Sequence, residues 1–139
     1  MNEQKNAELI LSLYTAFARG DVQFILDRVT DDVEWVTEGP SSIPYAGRLR
    51  GKGEVLVFFK AIAETQSDPK LTTDKVVAQG DTVATAGRYA ATVKATGRRA
   101  DSAIAHFFTV RDGKVSQFLD YFDTAAFADA YAVTAAAAH

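Results

Sequence analysis

The chain has 139 residues, 47% of them hydrophobic and 24% charged, with a formal net charge of −3 and a pI near 5.3. That length and balance suit one soluble domain, residues 1–139, and argue against a nucleic-acid phosphate backbone as partner. The absence of cysteine excludes disulfides and thiol chemistry. A polar start without a basic leader, and no apolar run of spanning length, point to a cytoplasmic protein with no membrane contact.

Helices are expected first and strands last. From Glu3 to Arg19, the residues Leu9, Ile10, Leu13, Tyr14 and Phe17 form one stripe at helical spacing, and Gly20 ends it. Asp21 then caps a short helix carrying Val22, Ile25, Leu26 and Val29. Asp32 to Thr37 alternates as a short strand, and the Gly- and Pro-marked segment after Glu38, through Gly51, reads as a loop of about a dozen residues. A third helix is predicted from about Lys52 to Gln66, stopped by Asp68-Pro69. Four segments follow as antiparallel strands joined by tight turns: roughly Lys70–Ala78, Thr82–Ala95, Arg99–Val110 and Lys114–Phe122. Asp123 and Thr124 open an Ala-rich helix, and residues from about 133 to 139 read as a frayed end.

Asp120 stands out. Strand alternation places it on the same face as Phe118 and Phe122, and a carboxylate between two aromatic rings needs partners or a proton. Asp123 needs no such explanation, since it is a natural helix cap. Two histidines, one of them terminal, and no carboxylates clustered with them give no metal-site spacing, so neither metal nor cofactor is expected.

The order helix, helix, short strand, helix, long antiparallel strands, helix resembles the nuclear transport factor 2-like fold across nearly the whole chain. The segment TGRRADSAIAHFFTVRDGKVSQFLDYFD resembles the same stretch of its SnoaL-like and limonene-epoxide-hydrolase branches, and AFARGDVQFILDRVTDDVEW resembles the family's opening. The resemblance implies an α+β cone in which a strongly bent, mostly antiparallel sheet wraps N-terminal helices around one deep pocket. It also implies that Ser102, Ile104, His106 and Phe108 face the pocket with Asp120, although the gapping of the hairpin leaves Ala105 as the alternative to His106. In SnoaL-like cyclases a His and an Asp at about this interval serve the acid–base step, and His106 and Asp120 match them.

Relatives sharpen the expectation further. Arg88 falls on the Arg of limonene epoxide hydrolases, and as a long cation among Ala84, Ala86 and Ala90 it either snorkels to the edge or pairs with Asp120. Ala90 replaces that family's second Asp, and Trp35 and Thr37 stand where a Tyr and an Asn hold its water, which argues against epoxide hydrolysis. The ketosteroid isomerase pattern is also broken: its base falls near Thr37, its oxyanion Tyr nearer Leu13 than Tyr14, and its oxyanion Asp at Ala105 or His106. Trp35, Thr37, Tyr14, Phe17, Phe58, Phe118, Phe122 and Arg88 are the expected pocket residues, with Phe59, Phe127 and Tyr131 on the same elements.

These readings lead to acid–base catalysis of isomerase, cyclase or hydratase type on a small hydrophobic metabolite, with a non-catalytic hydrophobic binder or an assembly module as alternatives. Tyr89, Val93, Phe107, Leu119 and Tyr121 are expected on the outer sheet face, where a second copy would form a homodimer.

Overall fold

A computed structural model describes residues 2–133 of the chain. Helix α1 spans Glu3–Arg19. The Asn2 side chain accepts from the Lys5 amide at its start, and Gly20 closes it at φ +72°. Helix α2, Val22–Leu26, is capped by Asp21, which accepts from the Phe24 amide. Strands β1 (Val29–Thr37) and β2 (Gly47–Arg50) precede helix α3 (Lys52–Thr65). Four long strands follow: β3 (Gln66–Gln79), β4 (Thr82–Val93), β5 (Arg99–Arg111) and β6 (Lys114–Phe122). Helix α4, Thr124–Tyr131, starts as expected on Asp123, whose side chain accepts from the Ala126 amide. The predicted frayed end lies outside the described residues beyond Val133.

The six strands form one sheet in the order β2-β1-β6-β5-β4-β3. All neighbours are antiparallel except β1 and β6. Helix α1 lies across β3 and β4, while α3 packs on β1 and β2 and α4 on β5 and β4. The core between helices and sheet includes Ile10, Leu13, Val33, Val55, Val83, Phe108 and Phe127.

Three boundaries differ from the sequence reading. Val29, expected on the second helix, opens β1, because α2 ends at Leu26 and the strand starts three residues before Asp32. Asp68-Pro69 does not stop α3, which ends at Thr65; it lies inside β3, at a break in the β3–β4 pairing between Ser67 and Lys70, with Asp68 at φ +51°. An interrupted ladder tolerates a proline that has no N–H to donate. The expected loop also contains β2, which pairs with β1 from Glu34↔Arg50 to Thr37↔Gly47. Four edge residues, two of them arginine, carry too little alternation to register as a strand.

The second break in the β3–β4 pairing lies between Thr73 and Lys75 and bends the sheet. Gly87 sits opposite it, and a Cβ there would stand 1.9 Å from the Thr72 carbonyl oxygen. Only glycine permits that approach.

Register decides which side chains face the helices. Thr85 pairs with His106, Gly87 with Ile104 and Tyr89 with Ser102, so the odd-numbered positions of β4 point inward. Tyr89 and the buried Val93 are therefore inside, correcting their expected outward placement. Arg88 is outside: its guanidinium meets Asp101 at 3.1 Å, both side chains more than half exposed. On that face the Arg–Asp pair remains hydrated, whereas inside it would be stripped of water. Arg88 is neither a pocket residue nor a partner of Asp120.

Candidate active site

One cavity of about 90 Å³ opens between the helices and the concave face of the sheet. Its walls take Leu13, Tyr14 and Phe17 from α1, Trp35 from β1, Phe58, Phe59 and Ile62 from α3, and inward residues of the long strands. The rings interlock: Trp35 lies 4.2 Å from Phe118 by centroid, and Phe58 meets Trp35 and Phe59 edge-on. The Trp35 indole nitrogen is buried and has no hydrogen-bond partner among the described residues.

On the wall of this apolar chamber stand His106 and Asp120. Their strands pair them directly, which places His106 rather than Ala105 inside. Nε2 of His106 lies 3.0 Å from Oδ1 of Asp120, with side chains 8% and 12% exposed. The other ring nitrogen, Nδ1, lies 2.7 Å from the Tyr14 hydroxyl, which is itself 2.6 Å from Thr85 Oγ1. Thr37 donates to Asp120 Oδ2 at a long 3.4 Å. Five groups from α1, β1, β4, β5 and β6 thus form one chain. Burial raises the Tyr14 hydroxyl well above the ordinary phenol range, so it keeps its proton.

The proton arrangement follows from valence. An ionised carboxylate only accepts, so a neutral His106 places its hydrogen on Nε2 toward Asp120 and accepts at Nδ1 from Tyr14. If His106 gains a second proton, Nδ1–H donates to Tyr14, which turns its own hydrogen to Thr85. In that state the Thr85 hydroxyl hydrogen, displaced from Tyr14, has no acceptor among the described residues, so the first arrangement is the one that satisfies every buried donor of the chain.

A second polar group, not anticipated, borders the same chamber through Tyr45 and Tyr89. Gln66, buried where α3 hands over to β3, donates through Nε2 to Tyr131 at 3.0 Å and Tyr45 at 3.4 Å, and its Oε1 accepts from Tyr89. Burial raises the hydroxyls of Tyr45 and Tyr89 well above the ordinary range. Tyr45 comes from the loop before β2, where no periodicity marks it, and Gln66 read as a helix end. Thr85 and Tyr89 are legible once their pairing with His106 and Ser102 is known.

Of the expected pocket residues, Tyr14, Phe17, Trp35, Phe58, Phe118 and Phe122 line the cavity with His106 and Asp120, and Thr37 touches Asp120 from β1. Phe59 lines it too, Phe127 is buried core, and Tyr131 joins the Gln66 cluster. Among the described residues no three His, Asp or Glu side chains gather to hold a metal ion, and no helix is long and apolar enough to cross a membrane.

Helices wrapped by a bent, unclosed six-stranded sheet around one chamber define an α+β fold of the nuclear transport factor 2-like kind. Within it, the chain belongs to the SnoaL-like domain family, whose model matches residues 10–118. It is similar to a nuclear transport factor 2-like protein of unknown function from Burkholderia pseudomallei, with 26% identity, a TM-score of 0.85, and coverage of 94% of this chain and 98% of that one. It is also similar to TerC, crystallised with polyporic acid, at 30% identity and TM-score 0.82, covering 91% and 98% of the two chains. A putative polyketide cyclase from Xanthomonas campestris pv. campestris shares the fold at 20% identity and TM-score 0.82, covering 95% of this chain and all (100%) of that one. Comparison with curated proteins gives no match.

Proposed function

We propose that the protein is an acid–base catalyst of isomerase, cyclase or hydratase type, acting on a small, largely apolar metabolite with Asp120 as base and His106 as its partner. The observation that carries this reading is the His106–Asp120 pair, 3.0 Å apart in a chamber walled by rings. His106 occupies Oδ1 of Asp120, while Oδ2 has only the long contact with Thr37, so Oδ2 is the oxygen free to take a proton from a ligand. Tyr14 fixes the tautomer that points Nε2–H at Asp120 and so supports its ionised form. Excluding water strengthens each of these interactions.

The test is solvent deuterium exchange. A panel of small ring ketones is incubated with the protein in D₂O, and carbon-bound exchange is followed by NMR. Asp120→Asn keeps the shape and accepts from Nε2–H, so it should melt near the wild-type temperature while exchange falls about 10²-fold or more. Wild-type exchange rates in Asp120→Asn and His106→Gln would remove both from catalysis.

A non-catalytic binder is the second reading, favoured by the fact that both ring nitrogens of His106 are already paired. It expects ring compounds to raise the melting temperature without exchange. In either reading, apolar rings and polyporic acid, the compound in the TerC crystals, belong in the panel, and nucleotides and sugar phosphates should not stabilise the protein.

We also infer a homodimer through the outer sheet face, where Val77, Phe107 and Tyr121 are exposed and Phe107 packs edge-on against Tyr121. Light scattering of a monomer at micromolar concentration would overturn it.

A further inference from the structure

The Gln66 cluster can be assigned hydrogen by hydrogen, and the assignment leaves one donor over. Thr65 Oγ1 donates to the Ala61 carbonyl at 2.6 Å, so its 2.7 Å contact with Tyr131 requires the Tyr131 hydroxyl to donate to it. Tyr131 must then accept at its 3.0 Å contact with Gln66, which fixes the amide with Nε2 toward Tyr131 and Tyr45. The opposite amide orientation would set two acceptors against each other at Tyr131. Tyr89 donates to Oε1. The Tyr45 oxygen therefore accepts from Gln66, and its own O–H has no acceptor among the described residues.

Tyr45 is 6% exposed and lines the cavity. A buried hydroxyl without an acceptor is costly, and the chamber is where one can be supplied. Trp35 also carries an unpaired N–H, but its nitrogen has no accessible surface and the indole is packed by Phe58, Phe59 and Phe118. It cannot reach a ligand without repacking.

We propose that the Tyr45 hydroxyl is a specificity-determining donor that takes an acceptor oxygen of the ligand, such as a ketone or ester carbonyl, while Asp120 faces another part of the same molecule. The ligand class is thereby narrowed to small apolar compounds carrying a carbonyl-type oxygen. This rests on the cavity being a ligand site, as proposed above, but not on Asp120 performing catalysis.

Cyclohexanone and methylcyclohexane, similar in size and shape, are titrated into wild type, Tyr45→Phe and Arg88→Ala, with fluorescence of the single tryptophan, Trp35, as the readout. The ketone should bind wild type about 5- to 10-fold more tightly than the hydrocarbon. Tyr45→Phe should abolish that preference and keep the hydrocarbon affinity; Arg88→Ala, on the outer face of the sheet, should retain it. In wild type, the carbonyl stretch of bound cyclohexanone should move to lower frequency than in hydrocarbon solvent, a readout that needs no variant. A preference that survives in Tyr45→Phe, or an unshifted stretch, overturns the assignment while leaving the cavity a ligand site. Binding of neither probe to wild type overturns both readings.

Discussion

The two polar groups that border the cavity, the His106–Asp120 end and the Gln66 end, are built on opposite plans. The His106–Asp120 end is assembled across strands whose register puts an imidazole opposite a carboxylate, and Tyr14 and Thr85 continue its chain of hydrogen bonds. The Gln66 end is assembled from a loop, a helix–strand junction, a strand and the last helix, and it is neutral throughout, with one hydroxyl unpaired. The first presents a carboxylate and an imidazole to the chamber, and the second presents a neutral O–H donor.

Both ends depend on phenols that keep their protons, and alkaline pH tests this with the largest expected effect. Tyr14, Tyr45 and Tyr89 are all raised by burial above the ordinary value of 10.0. Above that pH the unfolded chain loses these protons and the folded one holds them. Stability is therefore full below pH 10 and falls above it, by up to about 4 kcal/mol per pH unit for three groups. Urea titrations between pH 9 and 12 measure the slope, and a flat profile would show that the three hydroxyls ionise freely in the folded protein.

Gln66→Leu separates the ends next. It leaves Tyr89 without its acceptor and Tyr131 without its donor, so it should cost about 2–3 kcal/mol, while deuterium exchange per folded molecule falls less than in Asp120→Asn. Chemical denaturation and the exchange assay together check this. Tyr14→Phe should cost about 1–2 kcal/mol, because it removes the hydroxyl that holds Nδ1 of His106 and Thr85. It should also broaden the tautomer populations of His106 seen by ¹⁵N NMR; an unchanged tautomer would mean Tyr14 does not set it. Arg88→Ala, by contrast, should move the melting temperature hardly at all, about 0.5 kcal/mol or less, and leave exchange at the wild-type rate. A large exchange defect there would return Arg88 to the site.

That contrast between Arg88 and Asp120 shows what a strand pattern can carry. Asp120 was legible because its immediate neighbours in the two-residue period, Phe118 and Phe122, are rings, so the face it shares is unambiguous. Arg88 shares its face with alanines, which fit either side, and Tyr89 and Val93 beside it were misassigned outward in the same step. On β4 the composition does not distinguish the faces; the pairing of Thr85 with His106 does.

By itself the sequence determined the helices, whose apolar stripes and caps are local, the hairpin strands, and the aromatic face bearing the carboxylate. It offered a histidine on the neighbouring strand but left Ala105 as the alternative, and the pairing of β5 with β6 set His106 opposite that carboxylate. Tertiary structure alone decided which face of β4 is inside, how the interrupted β3 absorbs Asp68-Pro69, and that Tyr45, Gln66, Tyr89 and Tyr131, spread over 87 positions from the first to the last, meet in one hydrogen-bonded group. The physical reason is range: caps and periodicity act over a few residues, whereas strand register and buried polar pairing join groups far apart in the chain, and only bending the sheet against the helices brings them within hydrogen-bond distance.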